Sequence, residues 1–390
     1  MLKRPLTLLV VTAIVGLGIV VLAVVKTAWP AIKPVFKDAP LNLNELTPNQ
    51  NVIGETQTLL FAEDLGPVRF MTWTPEGVLL ASITRSNRVV ALPDENRDGR
   101  ADQVIDVLTD LNLPHGLAFH GQDLYIAETS QVIRLKNFQS DFSFDAREVI
   151  IPGLPAEGNH FTRTIVIGPD EKLYVSIGSS CNVCNEQHPW RAGVLQANLD
   201  GSDIRVFASG LRNAVGLTFH PETGELWGTE NGRDLIGDNI PPEEINIIRD
   251  GANYGWPICY GDRIHDTAFD KNTYIRDPCA DTTPPAIAFQ AHTAPLGLRF
   301  YTGQMFPEFA GNLFVAYHGS WNRSVPVGYS VQRFSFDAQG GPSEHIFMNN
   351  WLQPDGSSSG RPVDIIFDSH GAMYISDDKA GVIYLVTKDS

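Results

Sequence analysis

The chain has 390 residues, and its 45 aspartates and glutamates outnumber its 29 lysines and arginines. The resulting formal net charge of −16 argues against a nucleic-acid partner, because phosphate backbones attract basic surfaces. Residues 52–390 contain no composition typical of an internal linker, which predicts one domain of considerable length. Folds rich in β-strands commonly reach ~200–250 residues as one domain, so the length favours such a fold.

An uncharged apolar segment, Leu6–Val25, follows Lys3 and Arg4. At about 20 residues it is long enough to cross the ~30 Å hydrocarbon core of a bilayer, and no Ala-x-Ala cleavage site accompanies it. The sequence therefore predicts an uncleaved membrane anchor over residues 1–29, with a long cleaved signal peptide as the alternative. The two basic residues favour a cytoplasmic N-terminus, so the rest of the chain is expected in the periplasm, tethered to the inner membrane. The proline-rich residues 30–51 are typical of an extended linker.

Six segments within residues 52–390 share one order of features. Each has an alternating apolar strand, a turn containing Pro, Asp, Gly or His, a second apolar strand and a third strand that ends near a charged turn. Units of ~40–50 residues with about four short strands each are typical of propeller blades. The repeat therefore predicts an all-β fold, a six-bladed β-propeller, in which the residues before Arg69 complete the last sheet.

The innermost strand of each predicted blade begins at a basic or titratable side chain, in a chain dominated by acids. These six residues are Arg69, His115, Arg163, Arg212, His292 and Arg361. Since the innermost strands of a propeller start around the mouth of one central channel, the sequence predicts a ring of donors for a small ligand with several negative charges. Pairing of the first two residues with carboxylates that close the blades is the alternative interpretation.

Two short motifs lie in the fourth repeat. Gly210-Leu-Arg212-Asn213 begins its first strand, and Asn253-Tyr-Gly-Trp-Pro257 follows its third strand. In this combination the chain resembles the quinoprotein aldose dehydrogenases, the soluble glucose and sorbosone dehydrogenase family, in which both motifs recur at this separation. The resemblance covers nearly all of residues 52–390. It implies oxidation of an aldose or sorbosone-like sugar by hydride transfer to pyrroloquinoline quinone (PQQ), with the assistance of Ca²⁺.

The same resemblance assigns roles to single residues. It makes His160 the general base that accepts a proton from the sugar hydroxyl, and it makes Arg212 the group that polarises the quinone oxygen. It assigns PQQ binding to Arg163, Arg212, Asn213, His318, Arg323 and Arg361, and Ca²⁺ binding to the backbone carbonyls at Gly232 and Arg233. With an unperturbed imidazole as the base, activity is expected to fall around pH ~6–7 as acid protonates it.

Several positions depart from the family pattern. Asn159 stands where an aspartate usually braces the base, and residues 233–242 form an insertion in the calcium loop. His318 takes the place of a carboxylate-binding lysine, with Arg323 as a candidate to replace the lost charge. Arg361-Pro-Val-Asp364 keeps one of the two arginines in the family's Arg-x-Arg-Asp pattern. These differences place the chain nearer the sorbosone dehydrogenase branch than the glucose-specific one.

The chain has four cysteines. Cys181-Asn-Val-Cys184 is followed by asparagine rather than histidine, so it is not a haem-attachment motif. Outside the membrane an even count predicts disulfides, most simply Cys181–Cys184 and Cys259–Cys279, with a zinc site as the alternative. Because the chain carries no haem motif, electrons are expected to pass to a separate acceptor, a cytochrome or a quinone.

Two other functions fit parts of the pattern. A calcium-dependent lactonase of the propeller type would place carboxylate and asparagine side chains, rather than arginines, around an axial metal. A non-catalytic propeller that binds saccharide or protein would follow if the missing lysine and arginine have abolished affinity for PQQ.

One loop resembles the beginning of an EF-hand. It reads Asp94-Glu-Asn-Arg-Asp-Gly99, with glycine at the sixth position. Ile105 stands where the bidentate glutamate belongs, which favours a polar hairpin tip over a second metal site.

Overall fold

A computed structural model describes residues 56–388, which form six four-stranded antiparallel sheets and one short additional hairpin. In the first three sheets the strands follow chain order from the innermost to the outermost. Blade I contains β2 (Val68–Trp73), β3 (Leu79–Ile83), β4 (Arg88–Leu92) and β5 (Ile105–Leu108). Blade II contains β6 (Leu117–His120), β7 (Asp123–Glu128), β8 (Gln131–Lys136) and β9 (Ala146–Ile151). Blade III contains β10 (Ile165–Ile167), β11 (Lys172–Ile177), β12 (Gly193–Asn198) and β13 (Arg205–Ser209).

The fourth sheet is interrupted by the additional hairpin, and the sixth takes its outermost strand from the start of the described chain. Blade IV contains β14 (Leu217–Phe219), β15 (Leu226–Glu230), β16 (Glu243–Ile248) and β19 (Ile287–Phe289), with β17 (Cys259–Tyr260) and β18 (Ile264–His265) forming the hairpin. Blade V contains β20 (Pro295–Phe300), β21 (Leu313–Tyr317), β22 (Ser330–Phe336) and β23 (Pro342–Met348). Blade VI contains β24 (Pro362–Phe367), β25 (Met373–Asp377), β26 (Val382–Lys388) and β1 (Thr56–Ala62).

The pairing of β1 with β26 closes the propeller. It runs antiparallel from Thr56 opposite Lys388 to Ala62 opposite Ile383. The predicted six-bladed β-propeller is therefore confirmed, together with the predicted completion of its last sheet by residues that precede Arg69. Because closure joins both ends of the described chain in one sheet, the ring has no open blade edge at this point.

The second strand of each blade is apolar on both faces because both faces are covered by neighbouring blades. In β7, Leu124 and Ile126 pack with blade I, whereas Tyr125 and Ala127 pack with blade III. Successive side chains of a strand point to opposite faces, so such a strand must read as a continuous apolar run. Each large side chain buried in this way contributes about 1.5–3 kcal/mol of hydrophobic stabilisation.

Hydroxyl groups on the second strands join consecutive blades around the axis. Ser82 donates to the carbonyl of His115 at 2.8 Å, Thr229 to that of Leu296 at 2.7 Å, and Ser376 to that of Arg69 at 2.6 Å. Each hydroxyl oxygen also accepts the amide N–H of an inner-strand residue in its own blade. These buried bonds fix the register of neighbouring innermost strands.

The six basic residues at the predicted strand starts do not lie at equivalent positions, so the prediction of a single ring is wrong. In each blade, one residue of the innermost strand lies opposite the middle of the second strand and serves as the reference position. Arg69, His115 and Arg163 each precede this reference residue by two positions. Arg212, His292 and Arg361 precede it by five, six and four positions, respectively. The six residues therefore form an inner tier and an outer tier. Arg212, His292 and Arg361 lie earlier because the segment that leads into the innermost strand is longer in blades IV–VI.

The inner tier is completed by apolar residues. Val215, Leu296 and Val363 occupy the inner-tier positions of blades IV, V and VI, and with Phe70 they form a small buried cluster. Since these four side chains come from the innermost strands of four different blades, the cluster lies on the propeller axis. We call it the axial plug. It divides the central channel into two halves.

The predicted anchor and linker, residues 1–51, lie outside the described residues. Between residues 56 and 388, no helix is long and apolar enough to cross a membrane. The EF-hand-like loop connects β4 and β5, and its acids bind their own backbone: Asp94 accepts the amides of Asp98 and Gly99.

Candidate active site

The loop between β9 and β10 carries His160 over the channel mouth. Its Nδ1 lies 2.8 Å from the carbonyl oxygen of Ser179 and 3.0 Å from the hydroxyl of the same residue. Because a carbonyl can only accept, Nδ1 carries the proton and Nε2 is left with its lone pair. Within residues 56–388, Nε2 makes no hydrogen bond. The imidazole is thus oriented by Ser179, and the aspartate expected in place of Asn159 is not needed for this purpose.

Burial, followed by the positive charge of Arg212, lowers the pKa of His160 to about 3. The expectation of an ordinary imidazole pKa is therefore corrected. A histidine with this pKa is neutral throughout the pH range in which proteins usually work, so its Nε2 is a constant proton acceptor.

Arg163 holds the loop that carries His160. Its guanidinium is fully buried and donates to the carbonyls of Pro155 at 2.5 Å, His160 at 3.0 Å and Thr162 at 2.6 Å. Burial, followed by the charge of Arg191, lowers its pKa to about 9. The described contacts of this arginine thus join three points of one loop, and they position His160 from behind.

Arg212 donates from all three of its nitrogens to protein oxygens. The acceptors are the carbonyl and side-chain oxygens of Asn182, the carbonyls of Asn231 and Gly232, and the carboxylate of Asp234. With five bonds, the donor capacity of the guanidinium is fully used. Asn182 also receives the amide of Asp234 at 2.7 Å, so these three side chains form one fixed group.

Asn213 lies beside His160. A Cβ added at Gly178 would come within 2.5 Å of the side-chain oxygen of Asn213 and 2.6 Å of the Cβ of His160, so both side chains pack on this glycine. The amide N–H of Asn213 donates to Glu230 at 3.1 Å. Its side-chain amide makes no hydrogen bond to any described residue. A neutral imidazole nitrogen and a primary amide, on side chains that pack on the same glycine, are therefore both without a hydrogen-bond partner among the described residues.

In the predicted calcium loop, Gly232 and Arg233 contact different parts of the protein. The carbonyl of Gly232 accepts from Arg212 at 2.8 Å, and its amide donates to Glu243 at 2.7 Å. The side chain of Arg233 turns away and forms an ion pair of 2.6 Å with Asp266. The Gly232 carbonyl is a hard oxygen ligand of the kind that Ca²⁺ prefers, but in this arrangement it is shared with a guanidinium.

Three buried glutamates underlie this loop, and sequence reasoning did not single them out. Burial raises the pKa of Glu243 to about 8 and also raises the pKa values of Glu230 and Glu244. Glu230 and Glu244 line a cavity of about 20 Å³ beneath Arg212 and Arg233, which is room for about one water molecule. The only sequence signal for these glutamates is the Asp/Glu-rich pattern at residues 230–244. Their burial could not be predicted, because it depends on residues that are distant in the sequence.

His318 and Arg361 belong to a second group at the mouth, between blades V, VI and I. The Nε2 of His318 lies 2.8 Å from Asp378, which also forms an ion pair of 2.6 Å with Arg69. Burial, followed by the charge of Arg361, lowers the pKa of His318 to about 4, so this histidine is neutral at pH 7. It therefore lacks the positive charge of the lysine whose place it takes. Arg361 donates to the carbonyls of His318 and Gly319.

Arg323 lies on the rim of the mouth. Its half-exposed guanidinium donates over 3.2–3.4 Å to the carbonyls of Val325 and Ala291 and to the side chain of Asn239. The predicted insertion, residues 233–242, is held against the same rim loop by the 2.9 Å bond from Asn322 to Asp234. The structure thus joins His160, Arg163, Arg212 and Asn213 in one network, whereas the His318–Arg361 group and Arg323 make separate contacts.

The family relation of the chain follows from comparison with known proteins. Residues 52–389 match the TrAA12-like family. The chain belongs to this family. An uncharacterised protein of Borreliella burgdorferi is 34% identical over 300 residues, which cover 73% of this chain and 78% of that protein.

The TrAA12-like chain is also a distant homologue of PQQ-dependent sugar dehydrogenases. The PQQ-dependent sugar dehydrogenase of Hypocrea jecorina is 26% identical over 341 residues, covering 73% of this chain and 76% of that protein. The calcium structure of the Trichoderma reesei family AA12 protein superposes with a TM-score of 0.76 at 22% identity, over 90% of this chain and 99% of that one. This likeness shows the shared six-bladed fold. Membership of the sorbosone branch stays a prediction.

Both predicted disulfides are present in the TrAA12-like propeller. Cys181 pairs with Cys184, and Cys259 pairs with Cys279. Among the described residues, Cys181, Cys184 and Glu186 form the one cluster compact enough for a metal ion, but two sulfurs joined in a disulfide are not thiolate ligands. The zinc alternative is therefore excluded for these cysteines. Stable disulfides are typical of proteins outside the cytoplasm.

Proposed function

We propose that the chain oxidises an aldose or a related sugar by hydride transfer to PQQ with the assistance of Ca²⁺. The observation that carries this proposal is the neutral Nε2 of His160, which lies free beside the free side-chain amide of Asn213. Distant homology to PQQ-dependent sugar dehydrogenases supports the same reaction. A separate electron acceptor, a cytochrome or a quinone, belongs to the proposal because Cys181-Asn-Val-Cys184 is not a haem-attachment motif.

The side chains at the mouth fit an anionic group. Arg69 and Arg163 each retain a buried Nε that has no acceptor in the described chain. Because both Nε atoms are buried, a ligand carboxylate would be attracted by the charge of these guanidinium groups rather than bonded to the Nε atoms. The amide of Asn213 adds a further donor, and the outer-tier Arg361 adds positive charge on the same face. We therefore assign the PQQ carboxylates to these residues and Ca²⁺ to the carbonyl of Gly232.

When bound, PQQ supplies the hydride acceptor, and Ca²⁺ supplies polarisation of its quinone oxygen. His160 accepts the sugar hydroxyl proton at Nε2, while the Ser179 carbonyl keeps the proton of Nδ1 in place and so fixes the tautomer. Arg163 holds the loop that carries His160 in position, and burial keeps the imidazole of His160 neutral. These three contributions require no movement of the described chain.

The hydrogen bonds of Arg212 differ from those expected of a residue that donates to the quinone. Since all its donors are already used, donation to a quinone oxygen requires it to release one protein acceptor. The Gly232 carbonyl is the acceptor for which Ca²⁺ would compete, so occupation of this carbonyl by the metal would free one N–H of Arg212. We propose that metal binding and the electrostatic role of Arg212 are coupled in this way.

The test is reconstitution of the full chain with PQQ and Ca²⁺, followed by dye reduction with a panel of aldoses. We expect sugar-dependent reduction that requires both additions and disappears with a chelator. Absence of reduction with every sugar, together with absence of PQQ binding by absorbance, would overturn the proposal. The same samples incubated with sugar lactones test the lactonase alternative, because hydrolysis without PQQ would favour it.

A further inference from the structure

The half of the channel below the axial plug forms a second cavity, on the face opposite the candidate active site. Its volume is about 530 Å³, and its wall contains residues at or next to the ends of all six innermost strands, Trp73, Phe119, Ile167, Phe219, Phe300 and Phe367. Small-molecule sites in proteins usually measure about 300–1,000 Å³. The axial plug separates this cavity from His160, so it is not part of the mechanism described above.

One cation in this wall lacks a partner. Arg299, on β20, lines the cavity, and its guanidinium makes no hydrogen bond or ion pair with any residue between 56 and 388. Its Nε is buried and without an acceptor. The residue as a whole is partly exposed, and it lines the open cavity. Its positive charge is therefore available to a negatively charged ligand in the cavity.

An unpaired acceptor lies near the inner end of the same cavity. Asp364 is 1% exposed and occupies the inner-strand position equivalent to Phe70 and Thr164, which line that end. One carboxylate oxygen accepts the amide of Met71 at 3.0 Å, while Oδ1 is buried without a donor. Burial raises the pKa of Asp364 to about 6, and the charge of Arg299 opposes this rise.

Threonine hydroxyls supply further polar contacts on the wall. Thr72, Thr218 and Thr302 line the cavity from blades I, IV and V, and none of their hydroxyls bonds to another described side chain. The wall thus offers one positive charge, the carboxylate of Asp368 and several hydroxyls on an otherwise apolar surface. A neutral sugar would leave Arg299 unpaired, and a polyphosphate would find one cation beside the carboxylate of Asp368.

We propose that this cavity binds a small hydroxy-carboxylate, with its carboxylate on Arg299 and its hydroxyl groups exchanging hydrogen bonds with Thr72, Thr218 and Thr302. The ligand carboxylate supplies the acceptor that the guanidinium lacks among the described residues. The site is independent of the proposed sugar oxidation, since the axial plug lies between them.

The experiment is calorimetric titration of the full chain with D-gluconate as the probe, alongside D-glucose as the uncharged match. We expect one gluconate per chain at millimolar or lower concentration. Arg299→Gln should weaken binding about 10- to 100-fold, as expected for loss of a charge-assisted hydrogen bond. Arg276→Gln, which removes an exposed arginine elsewhere on the surface, should leave the affinity unchanged.

Two results would overturn the proposal: no heat of binding with gluconate at millimolar concentration, or equal affinity in the Arg299→Gln variant. The second result would place gluconate elsewhere, including at the mouth. Thr218→Val provides a gentler variant if Arg299→Gln does not fold by circular dichroism, with an expected loss of about 2- to 10-fold. Unchanged affinity in a folded Thr218→Val protein would count against the site in that case.

Discussion

Replacement of His160 by alanine tests the centre of the proposed reaction. The variant removes the free Nε2 and leaves Arg163, Arg361 and Asn213 in place, so PQQ should still bind. Removal of a general base typically lowers the rate by ~10²–10⁴-fold. We therefore expect normal quinone absorbance in the reconstituted variant and a loss of sugar-dependent dye reduction of at least a hundredfold. His345→Ala, which removes an exposed histidine on β23, is the matched control.

The pH dependence of the unmutated chain follows from the environment of the same imidazole. With a pKa of about 3, His160 would be about 99% neutral at pH 5. An unperturbed imidazole with a pKa of ~6.5 would be about 3% neutral at that pH, a difference of about 30-fold in active base. We expect kcat/KM, which reports groups of the free enzyme, to show no fall between pH 7 and pH 5 that is due to this residue.

The assay is steady-state dye reduction across this range, with PQQ occupancy measured at each pH. An acid limb with an apparent pKa near 6–7 at constant PQQ occupancy would refute the lowered pKa and the burial argument behind it. A His160→Ala variant that keeps more than about a tenth of the activity would show that the base is elsewhere.

Two further predictions concern the support of the site and its stability. Asn182→Ala removes the side-chain oxygen that accepts from Arg212 at 3.0 Å and from the amide of Asp234, and leaves the backbone carbonyl in place. It should lower kcat/KM about tenfold by dye assay, while Cys184→Ser, which opens the loop around Asn182, should give a smaller loss. Wild-type activity in both variants would refute a positioning role for this loop. The free energy of unfolding, measured with urea, should fall as the pH drops from about 6.5 toward 3, because His160 and His318 have lower pKa values when folded, at about 3 and about 4, so that the unfolded chain binds more protons there. The assigned pKa values would be contradicted if the free energy of unfolding of the wild-type chain did not change over this pH interval while that of the His160→Ala and His318→Ala variants fell more steeply.

The fold was predictable because its determinants are local and repeated. Alternating apolar strands such as β7, with turns rich in Pro, Asp and Gly, occur six times, and each repeat builds one blade. The disulfides followed from an even cysteine count in an expected exported chain, and closure by β1 followed from the strand that remained before Arg69.

The positions of the site residues were less predictable because they depend on register. Arg212 and Arg69 both appear at the start of an apolar strand, yet one stands five residues before the paired position and the other stands two. Their partners are also remote in sequence: Asp378 is 309 residues from Arg69, and Asn182 is 30 residues from Arg212. A one-dimensional pattern identifies such residues as basic and near a strand, but it does not show that the protein already uses their donors.

The contact at Gly178 allows the joint role of His160 and Asn213 to be tested without removing either side chain. The backbone of this glycine does not require a positive φ, so an alanine is limited only by space. Its Cβ would lie 2.5 Å from the Asn213 oxygen and 2.6 Å from the His160 Cβ, so both side chains must move by a substantial part of an ångström. A misplacement of about 1 Å can cost ~10²-fold in rate, and overpacking costs about 1–3 kcal/mol in stability.

We therefore expect Gly178→Ala to lower kcat/KM about 10- to 100-fold at saturating PQQ, with a modest fall in Tm. Gly341→Ala is the matched control, because its Cβ would meet the carboxylate of Asp337, the end of an exposed flexible side chain. Its activity should be unchanged. A Gly178→Ala variant with a lowered Tm and full activity would show that the reaction does not depend on the mutual placement of His160 and Asn213, and the observation that carries the proposed function would lose its force.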